Sequence, residues 1–181
     1  TYTDMEHYWD EAFGYFGAAR DYNTYSDSDI KGKVNKDSNS DGKINYNSEY
    51  NFSLAVGAAK RDVGSTSGTV DLTGDIFTAF LTGRALITAE GSQEDIAVHQ
   101  VAAAEGMEKV IAATVIHYIN DTLADMAQIG TSDYSQKDHN KHWAEMKGYA
   151  IGLQTSSFKL ISDSQLRELA GTMGTAPVYA E

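Results

Sequence analysis

The chain has 181 residues and carries 26 acidic against 14 basic side chains, a formal net charge of −12. This charge repels nucleic acid and anionic membranes and argues against a role on either, and no apolar run reaches the length of a membrane span. Cysteine is absent, which excludes disulfide frameworks, thiolate zinc sites and cysteine nucleophiles. The length suits a single domain, residues 1–181, that buries a hydrophobic core.

The first predicted helix runs from Thr3 to about Phe16. Thr3 and Glu6 have the spacing of a capping box. One face is apolar at helical spacing, and its residues are Met5, Tyr8, Trp9, Ala12, Phe13 and Phe16. On the opposite face His7 and Glu11 stand one turn apart, so that both could bind one metal ion. The alternative is an ordinary solvated polar face.

A long polar segment follows, from residue 18 to residue 47, without a helical or strand period. It leads into a pattern typical of EF-hand loops, in which oxygen-bearing side chains alternate and a glycine at the sixth position makes the sharp turn. With Asp37 as position 1, the glycine is Gly42. The acid that normally closes the shell at position 12 comes one residue late, at Glu49. The predicted calcium ligands are Asp37, Asn39, Asp41, Lys43 through its backbone carbonyl, Asn45, Ser48 and Glu49.

This calcium motif has a plainer alternative, a polar surface turn of the kind that Asn, Asp, Ser and Gly build for local reasons. Because no acid occupies position 12, we expect weak calcium affinity, on the order of 10⁻⁵–10⁻³ M, which suits an extracellular protein. A structureless segment of this length is uncommon in a compact domain unless something orders it. We therefore predict that residues 18–47 are a calcium-loop insertion, with Ca²⁺ as the cofactor.

The rest of the chain is also predicted to be helical. The remaining predicted helices cover residues 48–60, 73–89, 92–128, 133–154 and 162–173, with a second loop at 61–72 and a loosely held tail to Glu181. The helix at 92–128 is apolar on nearly every side, as expected in the middle of a bundle, and Gly106 could kink or split it. The predicted fold is therefore all-α, a helical bundle of about five or six helices with a long loop.

Three polar side chains are predicted to point inward. Arg84 falls within the apolar stripe of its helix, where a guanidinium needs a carboxylate or phosphate partner, or else extends out to solvent. His142 and Glu145 are spaced i and i+3, the His/carboxylate spacing that metal sites in bundles use. The alternative is a buried His–Glu hydrogen bond that stabilises the packing, completed by Arg84. We expect these three residues to form an inward polar cluster.

Several stretches resemble known families. The segment HYWDEAFGYFG, from His7 to Gly17, resembles a signature of the domain-of-unknown-function 4856 family of exported bacterial proteins, often lipoproteins. The segments 80–87 and 142–153 lie where that family's later helices are expected. The pair His142-x-x-Glu145 is similar to an element of imelysin-like proteins, exported helical bundles linked to iron acquisition.

These resemblances imply a periplasmic or cell-surface protein of a bacterium, without an established activity. In the first family the opening segment lies mid-chain, which implies that this chain is the carboxy-terminal half of a longer precursor. That expectation agrees with a chain that opens at Thr1 without methionine, as a processed or trimmed product would.

Three functions remain open. The first is an exported calcium-binding module for a metal or polysaccharide ligand. The second is a zinc- or iron-dependent hydrolase, or an iron-acquisition protein of imelysin-like type, using His7, Glu11, His142 and Glu145 on facing helices. The third is a structural protein that self-associates into a surface assembly. No nucleophile elbow, phosphate loop or His-Glu-x-x-His motif supports catalysis, so we expect a binding module rather than an enzyme.

Overall fold

Helices provide the regular structure of the chain. The computed structural model describes residues 2–65 and 70–179, and in these ranges it contains seven α-helices and no β-strand, which confirms the predicted all-α class. The helices are α1 (Asp4–Phe16), α2 (Asp27–Lys31), α3 (Ser53–Gly64), α4 (Leu72–Thr88), α5 (Gln93–Ala127), α6 (Gln136–Gly152) and α7 (Asp163–Thr172), with short 3₁₀ turns at Tyr22–Thr24 and Leu153–Thr155. The backbone divides into two compact units, Thr1–Val110 and Ile111–Glu181.

Parts of two sequence predictions fall outside this description. The predicted loop at 61–72 includes residues 66–69, and the predicted tail includes residues 180–181, and all of these lie outside the described residues. Over the part of the chain that the structure covers, no helix is long and apolar enough to cross a bilayer.

Both ends of α1 are set by local chemistry, as predicted. The Thr3 hydroxyl accepts the Glu6 N–H at 3.2 Å, and the Glu6 carboxylate accepts the Thr3 N–H at 2.8 Å, which completes a capping box. The helix stops at Gly17, whose φ of +85° is left-handed. A Cβ at this position would lie 2.6 Å from the carbonyl oxygen of Phe52. Glycine is therefore required both by the turn and by the neighbouring backbone.

An aromatic core joins α1 to α4 in the first unit. Its rings are Phe13, Phe16, Tyr22, Phe77 and Phe80, with neighbouring centroids 5.4–5.9 Å apart. Trp9 extends this contact, because its indole N–H donates to the carbonyl of Phe80 at 2.9 Å. Its ring lies directly over Gly83, where a Cβ would come within 2.1 Å of an indole carbon. The two helices approach this closely only because residue 83 has no side chain.

The segment between α1 and α3 contains more structure than the sequence predicted. A 3₁₀ turn places Tyr22, 2% exposed, in the core, where its hydroxyl donates to the carbonyl of Ala55 at 2.7 Å. Helix α2 begins at a Ser26–Asp29 capping box and buries Ile30. A helix of five residues is too short to show an amphipathic period. Helix α2 could therefore not be predicted from this polar sequence, which has no helical period.

A half-buried carboxylate organises the start of α4. Helix α3 begins at Ser53 rather than near residue 48 as predicted, and it carries Asp62 in its last turn. The Asp62 carboxylate accepts the backbone N–H groups of Leu72 at 3.0 Å and of Thr73 at 2.9 Å. Two of the unpaired donors at the start of a helix are satisfied in this way. Burial raises the pKa of Asp62 above its ordinary value, against the lowering effect of these hydrogen bonds.

Helix α5 differs from its prediction in two respects. It is continuous through Gly106, which does not split it. A Cβ at Gly106 would lie 2.5 Å from a side-chain carbon of Ile76, so this glycine permits close packing against α4. The apolar residues around the helix are not all buried, since Val98, Ile116 and Leu123 are 63%, 60% and 57% exposed. The expectation of a helix in the middle of a bundle is therefore wrong for these positions.

The second unit has a small core of its own. The buried residues of this core are Val115, Ala150, Leu153 and Leu166. Polar groups hold the end of α7 against α6: the Trp143 indole donates to the carbonyl of Met173 at 3.0 Å. The Lys147 ammonium donates to the carbonyls of Ala170 at 2.5 Å and Gly174 at 2.7 Å. A cation placed on the free carbonyls of a helix end is a favourable arrangement.

Candidate functional site

The predicted calcium loop is folded by its own side chains. The Asp37 carboxylate accepts the N–H of Asp41 at 3.1 Å and that of Gly42 at 2.7 Å. The Asn39 side-chain carbonyl also accepts the Asp41 N–H, at 3.0 Å, and the Asp41 carboxylate accepts the Lys43 N–H at 2.9 Å. Asp and Asn commonly form such turns with the residue two positions on. They fold the alternating oxygen-bearing side chains back over the loop backbone.

The middle of the loop has the sharp turn that the sequence predicted. Gly42 has φ of +80°, in the left-handed region, and the space around its missing Cβ is open. The turn therefore requires glycine for its backbone conformation rather than for packing. Beyond it the Asn45 side-chain carbonyl accepts the N–H of Asn47 at 2.8 Å, repeating the pattern of the first half.

The Glu49 carboxylate closes the loop by accepting hydrogen bonds from other residues of the loop. The side chain is buried, at 1% exposure. Its Oε1 accepts the Ser38 N–H at 3.0 Å, the Ser38 hydroxyl at 2.7 Å and the Asn39 N–H at 3.2 Å. Its Oε2 accepts the Asn45 N–H at 2.9 Å. The Asn45 N–H first, and then the Ser38 and Asn39 donors, hold the pKa of Glu49 below its ordinary value, so the side chain is an anion.

The same bonds limit Glu49 as a metal ligand. A carboxylate oxygen accepts about two hydrogen bonds, and Oε1 already accepts three. Only Oε2 retains a lone pair for an ion, so this arrangement does not offer the bidentate acid that closes a typical EF-hand shell. Ser48, the other predicted ligand at this end, accepts the Arg20 N–H on its backbone carbonyl at 2.8 Å. It thereby anchors the end of the loop to the residues that follow α1.

Arg84 has its carboxylate partners on α1. Its guanidinium donates to Glu6 at 2.8 Å and to Asp10 at 2.7 Å, and it also contacts the Thr88 hydroxyl. Of the partners that the sequence left open for Arg84, it therefore has carboxylates. The predicted cluster with His142 and Glu145, which lie in the second unit, stays a prediction. The Thr3 backbone N–H, together with Arg84 and Thr88, lowers the pKa of Glu6 to about 2.

The two histidines predicted for a second metal site lie in different compact units. The His7 ring nitrogen Nδ1 is 3.2 Å from the Tyr2 hydroxyl on an exposed surface, and Glu11 is also exposed. His142 Nδ1 is 2.7 Å from the carboxylate of Asp125 on α5. Among residues 2–65 and 70–179, no three His, Asp or Glu side chains gather as a metal site would require. The second site stays a prediction.

The sequence did not indicate Asp125 as the partner of His142. The two residues are 17 positions apart on separate helices, so no spacing within one helix relates them. Glu145, the predicted partner, instead has its carboxylate 3.8 Å from the Lys141 ammonium. The other histidine of this helix, His139, is completely buried beside the Tyr134 hydroxyl at 3.0 Å. It therefore lies in the packed interior of the second unit.

Comparison with known proteins gives one match. A family model described as a domain of unknown function (DUF4856) matches residues 1–139. The chain belongs to the DUF4856 family. This confirms the family that the segment from His7 to Gly17 indicated. No curated protein and no solved structure matches the chain, and the similarity to imelysin-like proteins stays a prediction.

The DUF4856 match covers some of the candidate residues and not others. It contains all of the predicted calcium loop, and it contains Arg84 with its two acidic partners. It ends at residue 139, before His142 and Glu145. The loop and the α1–α4 ion pairs therefore belong to the part of the chain that defines DUF4856 membership.

Proposed function

We propose that this DUF4856 protein is a calcium-binding helical module of the bacterial periplasm or cell surface, in which one Ca²⁺ stabilises the loop from Asp37 to Glu49. The proposal rests on the consecutive turns that bring the side-chain oxygens of Asp37, Asn39 and Asp41 back over the loop, with Gly42 in the left-handed conformation. Calcium loops place their oxygen donors at these alternating positions, with glycine at the sixth.

The chemistry of the donor set favours calcium over softer metals. The loop offers carboxylate, amide and carbonyl oxygens and no nitrogen or sulfur ligand, which suits a hard cation. Each of the two Asp37 oxygens accepts one hydrogen bond, which leaves each a lone pair for the ion. Because Glu49 offers at most one free oxygen, we expect weak binding, on the order of 10⁻⁵–10⁻³ M. Such affinity matches calcium concentrations outside the cytosol.

A bound ion would stiffen the connection between α2 and α3. This connection is tied to the core at its far end, where the Asn51 side chain accepts the Ala19 N–H at 2.8 Å and the Ser48 carbonyl accepts the Arg20 N–H. The ion would therefore stabilise a segment whose end already belongs to the first unit. Calcium would act on stability and on the position of this segment rather than on a reaction.

The test compares thermal unfolding in a chelator and in calcium at about 10 mM. For affinities of 10⁻⁵–10⁻³ M, ligand linkage predicts about 1.4–4 kcal/mol of stabilisation. At about 2–4 °C per kcal/mol, this raises the Tm by roughly 3–16 °C. Magnesium at the same concentration controls for ionic strength and should have a smaller effect, because it demands a more regular octahedral site. Identical melting in chelator and in calcium would contradict the proposal.

A pair of charge-matched variants makes the test specific to the loop. Asp37→Asn with Asp41→Asn keeps one acceptor oxygen at each position, at the cost of one of the two hydrogen bonds that Asp37 accepts. It removes two charges from the donor set, and it should abolish most of the calcium-dependent rise in Tm. Asp133→Asn with Glu168→Gln removes two charges from exposed positions of the second unit. It should retain that rise. If the two double variants respond equally to calcium, the effect is one of net charge and not of this loop.

A further inference from the structure

A cleft in the first unit lies beside the calcium loop. It has a volume of about 480 Å³, within the range of about 300–1,000 Å³ that small-molecule sites occupy. Its lining includes Trp9 and Phe13 of α1 with Phe80 of α4. It also includes Tyr46, near the end of the loop, and Tyr50 and Phe52, which follow the loop. The cleft is therefore lined both by the aromatic core and by a short aromatic wall, formed by these last three residues.

The aromatic wall is ordered but not covered. The Tyr46 and Tyr50 rings meet edge to face with centroids 5.2 Å apart, and the Tyr50 and Phe52 rings stack at 6.2 Å. Tyr46 is nevertheless 76% exposed, and Leu81, which also lines the cleft, is 50% exposed. Three adjacent rings and a leucine thus present apolar surface to solvent around one cavity. Clustered exposed apolar side chains of this kind commonly mark a binding site.

Gly14 keeps one side of the cleft open. It lies within α1, where glycine costs up to about 1 kcal/mol relative to alanine, and its backbone is helical. A Cβ at this position would meet nothing within 4 Å, so no packing contact requires glycine here. Gly14 lines the cleft. The absence of a side chain therefore leaves room for a ligand to approach the helix backbone.

A cation without an internal partner also lines the cleft. Arg20 is exposed, and its guanidinium has no ion pair within the described residues. By contrast Arg84, also in the lining, is neutralised by Glu6 and Asp10. In a chain with a net charge of −12, this leaves Arg20 as a cation without an ion pair at an aromatic cavity. A guanidinium fork is well suited to a carboxylate.

We propose that this cleft binds a small carboxylate with a flat apolar body, such as an aryl carboxylic acid. The body lies between the aromatic wall and Phe13, over Gly14, and the carboxylate pairs with Arg20. Aromatic side chains supply the contact area and a single charged group fixes the orientation, as in most small-molecule sites. This inference goes beyond calcium binding: of the residues that carry it only Tyr46 belongs to the loop, and none is in the ion's donor set.

The experiment measures binding by isothermal titration calorimetry on the full chain in millimolar calcium. The probes are naphthoate and its neutral analogue naphthalenemethanol, which share the apolar body and differ in the charged group. We expect naphthoate to bind about three- to tenfold more tightly than the alcohol, since a partly exposed charged hydrogen bond contributes a factor of this order. Equal affinity for the two probes, or no binding of naphthoate, would overturn the proposal.

Two pairs of variants locate the site. Arg20→Gln should remove the preference for naphthoate, whereas Arg167→Gln, which removes one charge from an exposed position of the second unit, should keep it. Gly14→Leu should fill the cleft and weaken both probes at least tenfold. Gly148→Leu is its control, because a Cβ there also meets open space on a helix. Leucine favours the helix at both positions, so we expect neither variant to lower the Tm. Equal behaviour within either pair would refute the assignment.

Discussion

Replacing Gly83 with alanine tests the contact between α1 and α4 on which the cleft depends. In an isolated helix this change stabilises by about 1 kcal/mol. Here the new Cβ would lie 2.1 Å and 2.4 Å from two carbons of the Trp9 ring, where ordinary contacts are 3.4–4 Å. The indole must move by about 1 Å or more, and its 2.9 Å hydrogen bond to the carbonyl of Phe80 would be strained or lost.

The expected magnitude follows from these opposing effects. Overpacking in a well-packed interface costs about 1–3 kcal/mol, and the lost hydrogen bond costs about 1 kcal/mol. The gain in helix propensity offsets about 1 kcal/mol of this. We therefore expect Gly83→Ala to destabilise the protein by about 1–3 kcal/mol. Urea unfolding followed by circular dichroism measures the change, and the Tm should fall by about 2–4 °C for each kcal/mol.

Two further variants distinguish the steric clash from a general effect of glycine. Gly148→Ala, whose Cβ meets open space, should stabilise by up to about 1 kcal/mol. Trp9→Phe shortens the ring that clashes, so the double variant with Gly83→Ala should be more stable than the sum of the single changes by about 1 kcal/mol or more. If Gly83→Ala stabilises the protein as Gly148→Ala does, the packing of Trp9 on α4 described above is wrong.

Two other substitutions test the ends of the loop region. Gly17→Ala should destabilise by more than about 2 kcal/mol, because alanine is strained at φ +85° and its Cβ would approach the Phe52 carbonyl to 2.6 Å. Urea unfolding measures it, and a stability equal to the native chain would contradict the cap geometry. The Glu49→Gln variant should be less stable than the native chain at neutral pH. The carboxylate accepts hydrogen bonds on both of its oxygens, whereas an amide has only one acceptor oxygen. Since the folded pKa of Glu49 lies below its ordinary value of 4.5, its contribution is present above that value and is lost as the pH falls through the folded pKa. Thermal melts should therefore show the two proteins converging below about pH 4.5, and a gap that persists in acid would refute this reasoning.

Local chemistry explains most of what could be predicted from the sequence. The start of α1 depends on Thr3 and Glu6, three residues apart, and its end depends on the left-handed preference of Gly17. The loop from Asp37 to Glu49 is similar, since each turn joins an Asp or Asn side chain to a backbone group two to five residues on. Interactions between residues this close in the sequence do not depend on how the rest of the chain folds. The spacing of residues along the sequence is therefore enough to predict them.

The partners of charged groups could not be predicted in this way. Arg84 was expected to pair with a carboxylate or phosphate or to extend to solvent. It has two carboxylate partners, and they lie 74 and 78 residues away on α1. The partner of His142 lies on another helix, and the sequence had offered a neighbour on its own helix instead. Helical spacing identifies residues that share a face. It contains no information about which other face packs against that one.

The sequence by itself determined the helical class, the family, the ends of the principal helices and the turns of the loop, because each depends on composition, a signature segment or contacts over a few residues. Only the tertiary structure decided which ring lies over Gly83, that Glu49 closes the loop from within, and that Arg20 and Gly14 line one aromatic cleft. These features depend on how distant segments approach one another. Which segments approach one another is decided by how side chains of particular shape and volume pack together. The periodicity of residues along the chain does not encode this.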